Sequence, residues 1–244
     1  MSYGEGADVK LLAIDTSTDY LSLAILKVER EFRRPQVLAK FHKKADRRHS
    51  VLLVPMIDRL LKSSGLKLKD IDCFAISIGP GSFTGLRIGV TVVKGLAFAL
   101  KKPIVTVPTL DVIANNVKDF IGIICTVLDA RKNKVYACLY KSDRKTIKKI
   151  SKYLLLPLAD LLKKIGKYDK VLFLGDIVEK HSFGRDWPAF AFGNKTTQYF
   201  GGWHPKAEIV ARLGLETFNK KKFVKPEDLE PLYLYSRECD ITGR

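Results

Sequence analysis

The sequence contains little cysteine and little of the chemistry that cysteine supports. It has four cysteines in 244 residues, at positions 73, 125, 138 and 239, and no two of them form a CxxC pair. Paired cysteines are the usual sign of a zinc site or of a redox-active disulfide. Three of the four lie in apolar runs, where a thiol packs as a small hydrophobic side chain. We therefore expect neither disulfides nor structural zinc.

Long hydrophobic runs are also missing. No apolar run approaches the roughly 20 residues that a helix needs to span a bilayer. The first ten residues, MSYGEGADVK, lack the apolar centre of a signal peptide. Hydrophobic residues nevertheless make up 46% of the chain, enough to form the core of one large domain or two small ones. The sequence thus predicts a globular protein without membrane contact, and the cytoplasm is the expected compartment.

Acidic residues are scarce relative to basic ones. The chain has 26 Asp and Glu against 43 Lys and Arg, which gives a formal net charge of +17. Such a field attracts polyanions, although lysine-rich solubility and heat adaptation produce the same composition. The charge is clustered in residues 30–48 and again in residues 141–152. Candidate contacts with nucleic acid in the first cluster are Arg33, Arg34, Lys43 and Lys44.

Sequence-specific reading of nucleic acid is not expected. The chain contains no helix-turn-helix, zinc finger or RNA-reading aromatic motif. Any contact with nucleic acid would therefore depend on charge.

The most distinctive stretch is GPGSFTGLRIGV at residues 79–90. An alternating strand pattern precedes it at 73–78, and a helical period follows from Leu86 to Leu100 until Pro103 ends it. Ser82 or Thr84 can cap the start of this helix. Glycines at a helix N-terminus offer backbone amides to phosphate. On this functional interpretation the candidate nucleotide or phosphate contacts are Asp15, Thr16, Ser17, Gly79, Gly81 and Arg87.

The spacing of the glycines favours a different interpretation. It matches neither GxGxxG nor a loop that ends in Gly-Lys-Ser/Thr. Instead, Gly81, Gly85 and Gly89 lie four residues apart, and each glycine inside a helix costs about 1 kcal/mol relative to alanine. Such a ridge usually marks the close approach of another backbone, in the same chain or in a partner. We therefore favour close packing over phosphate binding.

A strand, a turn that begins with aspartate and a returning strand occur twice. The first set runs from Val9 to Val28 around Asp15, and the second runs from Ile121 to Tyr140 around Asp129. Strand and helix patterns of similar order follow each set, which predicts two structurally duplicated halves. The repetition concerns the order of elements rather than residue identity.

The segment from His49 to Lys62 has the period of a helix, with a proline inside it at residue 55. Two metal-binding histidines on a helix usually lie four residues apart, because their rings then project together. The residue four positions after His49 is Leu53. The pattern thus predicts no metal site and no catalytic pair, and His49 is interpreted as a packed or interface residue.

Taken together, these residues resemble the TsaB family, whose members act in the bacterial system that makes threonylcarbamoyladenosine in tRNA. The resemblance covers nearly the whole chain, and the run at 79–90 is its most specific part. The supporting motifs are Asp15-Thr16-Ser17, His49-Ser50 with Pro55, Leu128-Asp129-Ala130-Arg131 with Val135-Tyr136, and Pro231-Leu232-Tyr233-Leu234.

This resemblance implies an α/β fold with two similar actin-like halves, like those of sugar kinases and Hsp70. We place the halves at residues 1–108 and 109–244, with a C-terminal tail that could pack back on the first half. It also implies a partner protein without chemistry of its own, which packs through helices near the glycine motif against TsaD, a homologous metal-dependent transferase. Candidate interface residues are His49, Leu53, Met56, Gly81, Gly85 and Gly89.

Further partners follow from the same resemblance. An ATPase, TsaE, joins the assembly, and ATP or ADP lies near that junction. The chain alone would require no cofactor, and it would meet tRNA through the complex. Whether it also forms a homodimer stays open.

Two other classes of function remain open at this point. A small-molecule kinase of the same fold would use Asp15 or Asp129 as a base or magnesium ligand, although an aspartate after a strand also simply starts a turn. A plain RNA-binding module would bind through the basic surface with a steep dependence on salt.

Overall fold

A computed structural model describes residues 8–29, 35–117, 119–177, 196–199 and 202–234. The chain divides into two compact units. The first comprises Met1–Val112 with Pro205–Pro231, and the second comprises Ile113–His204 with Leu232–Arg244. Residues 205–231 thus belong to the first unit, whereas the sequence-based division placed them in the second half. That division at residue 108 stays a prediction for the limits of the two halves.

The first unit contains a five-stranded sheet. Its strands are β1 (Val9–Asp15), β2 (Tyr20–Val28), β3 (Pro35–Lys44), β4 (Cys73–Ser77) and β5 (Ile104–Val107). Their order is β3-β2-β1-β4-β5. The pairs β1–β2 and β2–β3 are antiparallel, and β4 and β5 continue the sheet in parallel with β1.

The second unit repeats this topology. Its strands are β6 (Ile121–Asp129), β7 (Lys134–Asp143), β8 (Ile147–Lys149), β9 (Leu154–Pro157), β10 (Lys170–Leu174) and β11 (Thr196–Tyr199). The sheet order is β11-β10-β6-β7-β8, and β9 pairs with a separate part of β7. The pairs β6–β7 and β7–β8 are antiparallel, whereas β10 pairs in parallel with both β6 and β11, as in the first unit. This shared topology confirms the duplicated, actin-like α/β fold.

Five α-helices accompany the two sheets in the described residues: α1 (His49–Ser63), α2 (Phe83–Leu100), α3 (Thr109–Ala114), α4 (Leu158–Ile165) and α5 (Ala207–Asn219). Helices α1 and α2 cover one face of the first sheet, where Leu12 and Ile14 of β1 belong to their core. The alternate residues Leu11 and Ala13 face α5 on the other side. Strand β1 is therefore buried on both faces, as its nearly continuous apolar sequence requires.

Helix α2 has 18 residues and, by length and hydropathy alone, could cross a membrane. It is the one such helix among the described residues. Its 18 residues are close to the roughly 20 that a membrane span needs, although no such run was expected from the sequence. Its Val90, Val93 and Ala97 pack into the core of the first unit, and Leu86 is also buried. Core helices of water-soluble proteins pass the same test of length and composition.

Some elements differ from the sequence-based expectations. Strand β3 lies inside the basic cluster at 30–48, where Lys40, Lys43 and Lys44 interrupt the apolar alternation of a strand. Strand β11 (Thr196–Tyr199) was not among the sequence-based expectations. Residues 178–195 lie outside the described part of the chain. The expectation of buried thiols is confirmed for Cys73, Cys125 and Cys138, while Cys239 lies outside the described residues.

Candidate functional site

The first functional candidate is the junction between the turn after β1 and the glycine-rich start of α2. The turn is fully buried: Asp15, Thr16 and Ser17 are 0%, 0% and 1% exposed. The backbone amide and hydroxyl of Ser17 both donate to Oδ1 of Asp15, at 3.0 and 2.9 Å. Asp15 therefore holds the turn in the way that an aspartate after a strand commonly does.

Burial changes the acidity of this carboxyl group. Removal from water raises the pKa of Asp15 from 3.8 to about 6, because burial penalises the charged form. The nearby Ser77 hydroxyl, the hydrogen bonds from Ser17 and the charge of His49 oppose that shift. Asp15 is thus an internal group, and its own chain supplies its hydrogen bonds.

The glycines of α2 allow the helix to approach this turn. A methyl group at Gly81 or Gly85 would overlap a backbone carbonyl oxygen, that of Ser17 or Thr16 respectively. A methyl group at Gly89 would overlap the Thr16 hydroxyl. The amide of Ser82 also donates to the Ser17 carbonyl at 2.7 Å. The prediction of close backbone packing is confirmed, and the approaching backbone belongs to the same chain.

The loop before α2 is held from its other side as well. The amide of Gly79 donates to the Thr109 hydroxyl at 3.1 Å, and the amide of Thr109 donates to the Gly79 carbonyl at 2.8 Å. Ser82 caps the helix by accepting a bond from the Gly85 amide. Three amides of this loop and helix start, those of Gly79, Ser82 and Gly85, are therefore engaged inside the chain. The phosphate contact stays a prediction, and these bonds count against it.

The exposed Arg87 makes a different contact. Its guanidinium group stacks 3.7 Å above the centre of the Phe83 ring. This contact lies at the surface of α2, whereas Asp15, Thr16 and Ser17 lie beneath the helix. The structure thus does not bring Arg87 together with these three residues.

The residues assigned to a partner interface are mostly buried. His49 is 4% exposed and Leu53 is 0% exposed, and the His49 ring lies 3.2 Å from the Tyr20 carbonyl. Met56 is half-buried against the same core. His49 is thus a packed histidine, one of the two alternatives predicted. An interface role for these residues and for the three glycines stays a prediction.

The exposed surface of α1 is apolar instead. Val51 and Val54 are 68% and 54% exposed, and Pro55 next to them is also exposed. Large exposed apolar side chains that adjoin one another are typical of interaction sites. The sequence analysis missed both valines because it followed only the buried stripe of this helix.

The outward surface of α2 carries a second stripe that the sequence analysis missed. Its members, at helical spacing, are the exposed Thr84, Thr91 and Gly95 and the half-buried Ile88, which also touches the core. Gly95 is exposed, and a methyl group there would meet nothing within 4 Å. The fold thus gives no internal reason for this glycine, in contrast to Gly85 and Gly89. Its position four residues before the exposed Ala99 and four after Thr91 was the available signal.

The basic residues proposed to contact tRNA are only partly described. Lys43 and Lys44 are exposed on β3, an edge strand of the first sheet, and Lys44 forms a 3.7 Å ion pair with Asp19. Arg33 and Arg34 lie outside the described residues. Contact between these four residues and tRNA stays a prediction.

The second turn, after β6, is also held by an aspartate. Oδ1 of Asp129 accepts the amide of Arg131 at 2.8 Å, and the amide of Asp129 donates to Asp176 at 2.8 Å. No group of three metal-binding side chains occurs among the described residues. The two aspartates thus play the same local role, each after the first strand of its sheet.

Comparisons with known proteins give one consistent result. The family model for TsaD, tRNA N6-adenosine threonylcarbamoyltransferase, matches residues 41–205. The chain is 36% identical over 172 residues to a Bacillus subtilis protein named tRNA threonylcarbamoyladenosine biosynthesis protein TsaB, covering 70% of this chain and 72% of that protein. It is also 32% identical over 126 residues to the tRNA N6-adenosine threonylcarbamoyltransferase of Staphylococcus aureus, covering 47% of this chain and 37% of that protein.

A solved structure agrees with these similarities. The chain resembles a Pseudomonas aeruginosa protein described as similar to peptidase YeaZ, with a TM-score of 0.75 and 26% identity. The match covers 93% of this chain and all of the other.

Proposed function

The chain belongs to the TsaB family, and from this premise we propose that it is a partner subunit without catalytic activity of its own in the threonylcarbamoyladenosine modification of tRNA. The observation that carries the proposal is the 36% identity with the Bacillus subtilis TsaB protein over most of both chains. The geometry supports a role by association, because Asp15 is buried and bonded within its own turn.

The partner is a homologous transferase of the TsaD kind. Its docking surface is the outer surface of α1 and α2, which we call the helical face: Val51, Val54, Pro55, Thr84, Ile88, Thr91 and Gly95. The two helices pack side by side on one core, so their outer surfaces are available together. Two adjacent helices fit best against the helices of another protein, whose ridges can enter the groove between them.

Gly95 is the most informative residue of the helical face. A glycine at an exposed helix position costs about 1 kcal/mol relative to alanine, and the fold does not offset this cost internally, since nothing lies within 4 Å of the added methyl group. Close contact with a partner helix would explain it, because only glycine lets two backbones approach fully.

The proposal is tested by measuring the association of the purified chain with the TsaD-like protein of the same organism. Gly95→Leu should weaken association roughly ten- to a hundredfold, because overpacking at a tight contact costs about 1–3 kcal/mol and about 1.4 kcal/mol is a tenfold change. Val54→Asp, which places a charge on the same face, should weaken it as well. Both variants should unfold at a temperature no lower than that of the parent chain.

Glu216→Leu serves as the control, because it adds the same side chain to an exposed position on α5. It should leave association unchanged. Unchanged association in both Gly95→Leu and Val54→Asp would contradict the helical face as the docking site.

We propose three finer assignments within the same function. A TsaE-like ATPase joins the pair, ATP or ADP lies at that junction, and tRNA is reached through the complex. Sedimentation measurements on the isolated chain distinguish a monomer from a homodimer.

A small-molecule kinase is the second candidate. It is favoured by the duplicated fold with an aspartate after the first strand of each sheet. The burial of Asp15 and the engaged amides of Gly79 and Ser82 make it the weaker proposal.

A further inference from the structure

The basic hairpin, residues 141–152, is the feature of the second unit that the partner role does not explain. It consists of the end of β7, strand β8 and the residues that follow. It contains one acidic residue, Asp143, against six basic ones: Lys141, Arg144, Lys145, Lys148, Lys149 and Lys152. All six are exposed.

The single acid does not neutralise these cations. Oδ1 of Asp143 accepts the amides of Lys145 and Thr146 at 2.9 and 2.7 Å, and the Thr146 hydroxyl donates to Oδ2 at 3.0 Å. These bonds lower the pKa of Asp143 and hold the turn. Within the described part of the chain, no ion pair involves Lys141, Lys145, Lys148 or Lys152.

Two of the lysines face each other directly. Lys141 of β7 pairs with Lys148 of β8 in the antiparallel register. Residues in that relation project from the same face with Cβ atoms about 5 Å apart, and like charges there destabilise the strand pair. The hairpin therefore carries an electrostatic cost that a bound polyanion would remove.

The opposite face of β8 carries a contact between a lysine and an aromatic ring. Lys149 lies on that face, with its Nζ atom 4.0 Å from the centre of the Tyr153 ring, and it also donates to the Tyr153 hydroxyl. The neighbouring Ile150 is 41% exposed. Aromatic rings among cations are typical of surfaces that bind the backbone and bases of single-stranded nucleic acid.

We infer that the basic hairpin binds the phosphate backbone of tRNA. The choice of tRNA as the polyanion rests on the proposed function. The location of the binding site rests on the charge and the strand register of the hairpin. Phosphates lie at regular, close intervals along RNA, so they can neutralise several neighbouring lysines at once and release their counterions. A single acidic side chain from a protein would neutralise only one of them.

The test measures binding of the full-length chain to a fluorescently labelled, unmodified tRNA transcript at salt concentrations from about 50 to 200 mM. Replacing two phosphate-binding lysines should reduce the slope of log affinity against log salt by about 1.8. The double variant Lys141→Gln, Lys148→Gln should therefore differ from the parent most at low salt. The ratio of the two affinities should shrink roughly tenfold across that range.

The matched control is Lys163→Gln, Lys164→Gln, which removes the same charge from exposed positions of α4 in the same unit. It should leave the salt slope close to that of the parent. Equal salt slopes for the parent and both double variants would overturn the inference. An equal loss of slope in both variants would also overturn it, because binding would then depend only on the net charge of the chain.

A third variant separates binding from a structural role. Lys148→Glu creates an attractive pair with Lys141, so the chain should unfold at a higher temperature while its affinity for tRNA falls. Higher stability with unchanged affinity for tRNA would overturn the inference. Weaker association with the TsaD-like protein, again with unchanged affinity for tRNA, would also overturn it. Association through the helical face is measured without RNA, so a failure of the proposed function is distinguishable from a failure here.

Discussion

At the scale of single residues, Asp15 links the acidity of a buried group to the stability of the turn beneath α2. Its carboxyl group is 0% exposed, and burial is the main cause of its raised pKa. The unfolded chain would expose the same group to water, where its pKa is near 3.8. The two states therefore bind different numbers of protons between about pH 4 and 6.

We expect the stability contribution of Asp15 to decrease as the pH rises. The folded chain retains a proton that the unfolded chain has lost, so folding is favoured at low pH and loses up to about 3 kcal/mol as pH increases through 6. In Asp15→Asn the group cannot ionise. The free energy of unfolding of the parent and of this variant is measured in urea at pH 4 to 7. The difference, parent minus variant, should fall as the pH rises from 4 to 7.

His49 is the charged neighbour that could obscure this result, because its charge lowers the pKa of Asp15. The double variant Asp15→Asn, His49→Gln, compared with His49→Gln alone, isolates the aspartate. A constant difference in stability across the pH range would show that Asp15 does not carry the proton.

The glycines of α2 give a second prediction at this scale. Gly85→Ala should destabilise the isolated chain by about 1–3 kcal/mol, because its methyl group overlaps the Thr16 carbonyl, which belongs to the backbone. Gly95→Ala should stabilise it by roughly 1 kcal/mol, because nothing opposes the added methyl group. Thermal unfolding of both variants checks the pair. Similar melting temperatures for the two would contradict the internal role of Gly85.

At the scale of elements, the sequence allowed either Ser82 or Thr84 as the cap of α2, and the structure selects Ser82. The hydroxyl of Ser82 accepts the Gly85 amide at 3.2 Å, whereas Thr84 lies exposed inside the first turn. Ser82→Ala should cost about 1 kcal/mol of stability, the usual loss when a cap is removed. Thr84→Ala is the control, and it should change stability by a few tenths of a kcal/mol. A larger loss in Thr84→Ala would contradict this assignment.

Elements with one clear period could be predicted from the sequence. Helix α2, strand β4 and the pair β6–β7 each have a regular hydrophobic period. Their bounds as predicted from the sequence are therefore close to those in the structure. Strand β3 could not be recognised, because an edge strand keeps lysines on its solvent side and loses the apolar alternation. Strand β8 has only three residues, too few to show a period.

The candidate site was predictable only in part, for a physical reason. A sequence shows that Gly81, Gly85 and Gly89 are small, but which backbone fills the space beside them depends on long-range packing. The turn at Thr16 and Ser17 occupies it. Gly95 lies six residues after Gly89 and therefore outside this four-residue ridge, and the structure shows it exposed, with nothing within 4 Å of an added methyl group.

At the scale of the whole molecule, the duplicated topology explains why two aspartates recur without a matching chemistry. Each follows the first strand of its sheet, and each accepts an amide two residues later. The same local geometry starts a turn in any protein of this topology. The recurrence of Asp15 and Asp129 is thus a property of the fold, and it does not require that either residue bind magnesium or act as a base.

The last prediction follows from this distinction. A kinase or ATPase needs an aspartate that reaches substrate, whereas Asp15 is fully buried and Asp129 accepts the Arg131 amide. The purified chain should therefore hydrolyse ATP in the presence of magnesium no faster than its Asp15→Asn, Asp129→Asn variant. The measurement compares both proteins across the fractions of a sizing column, since a contaminating ATPase would not follow the main peak. Turnover that follows the main peak and disappears in the double variant would favour the kinase alternative. The double variant must also stay folded and still associate with its TsaD-like partner. Under those conditions, the loss of activity would be due to the loss of a catalytic aspartate.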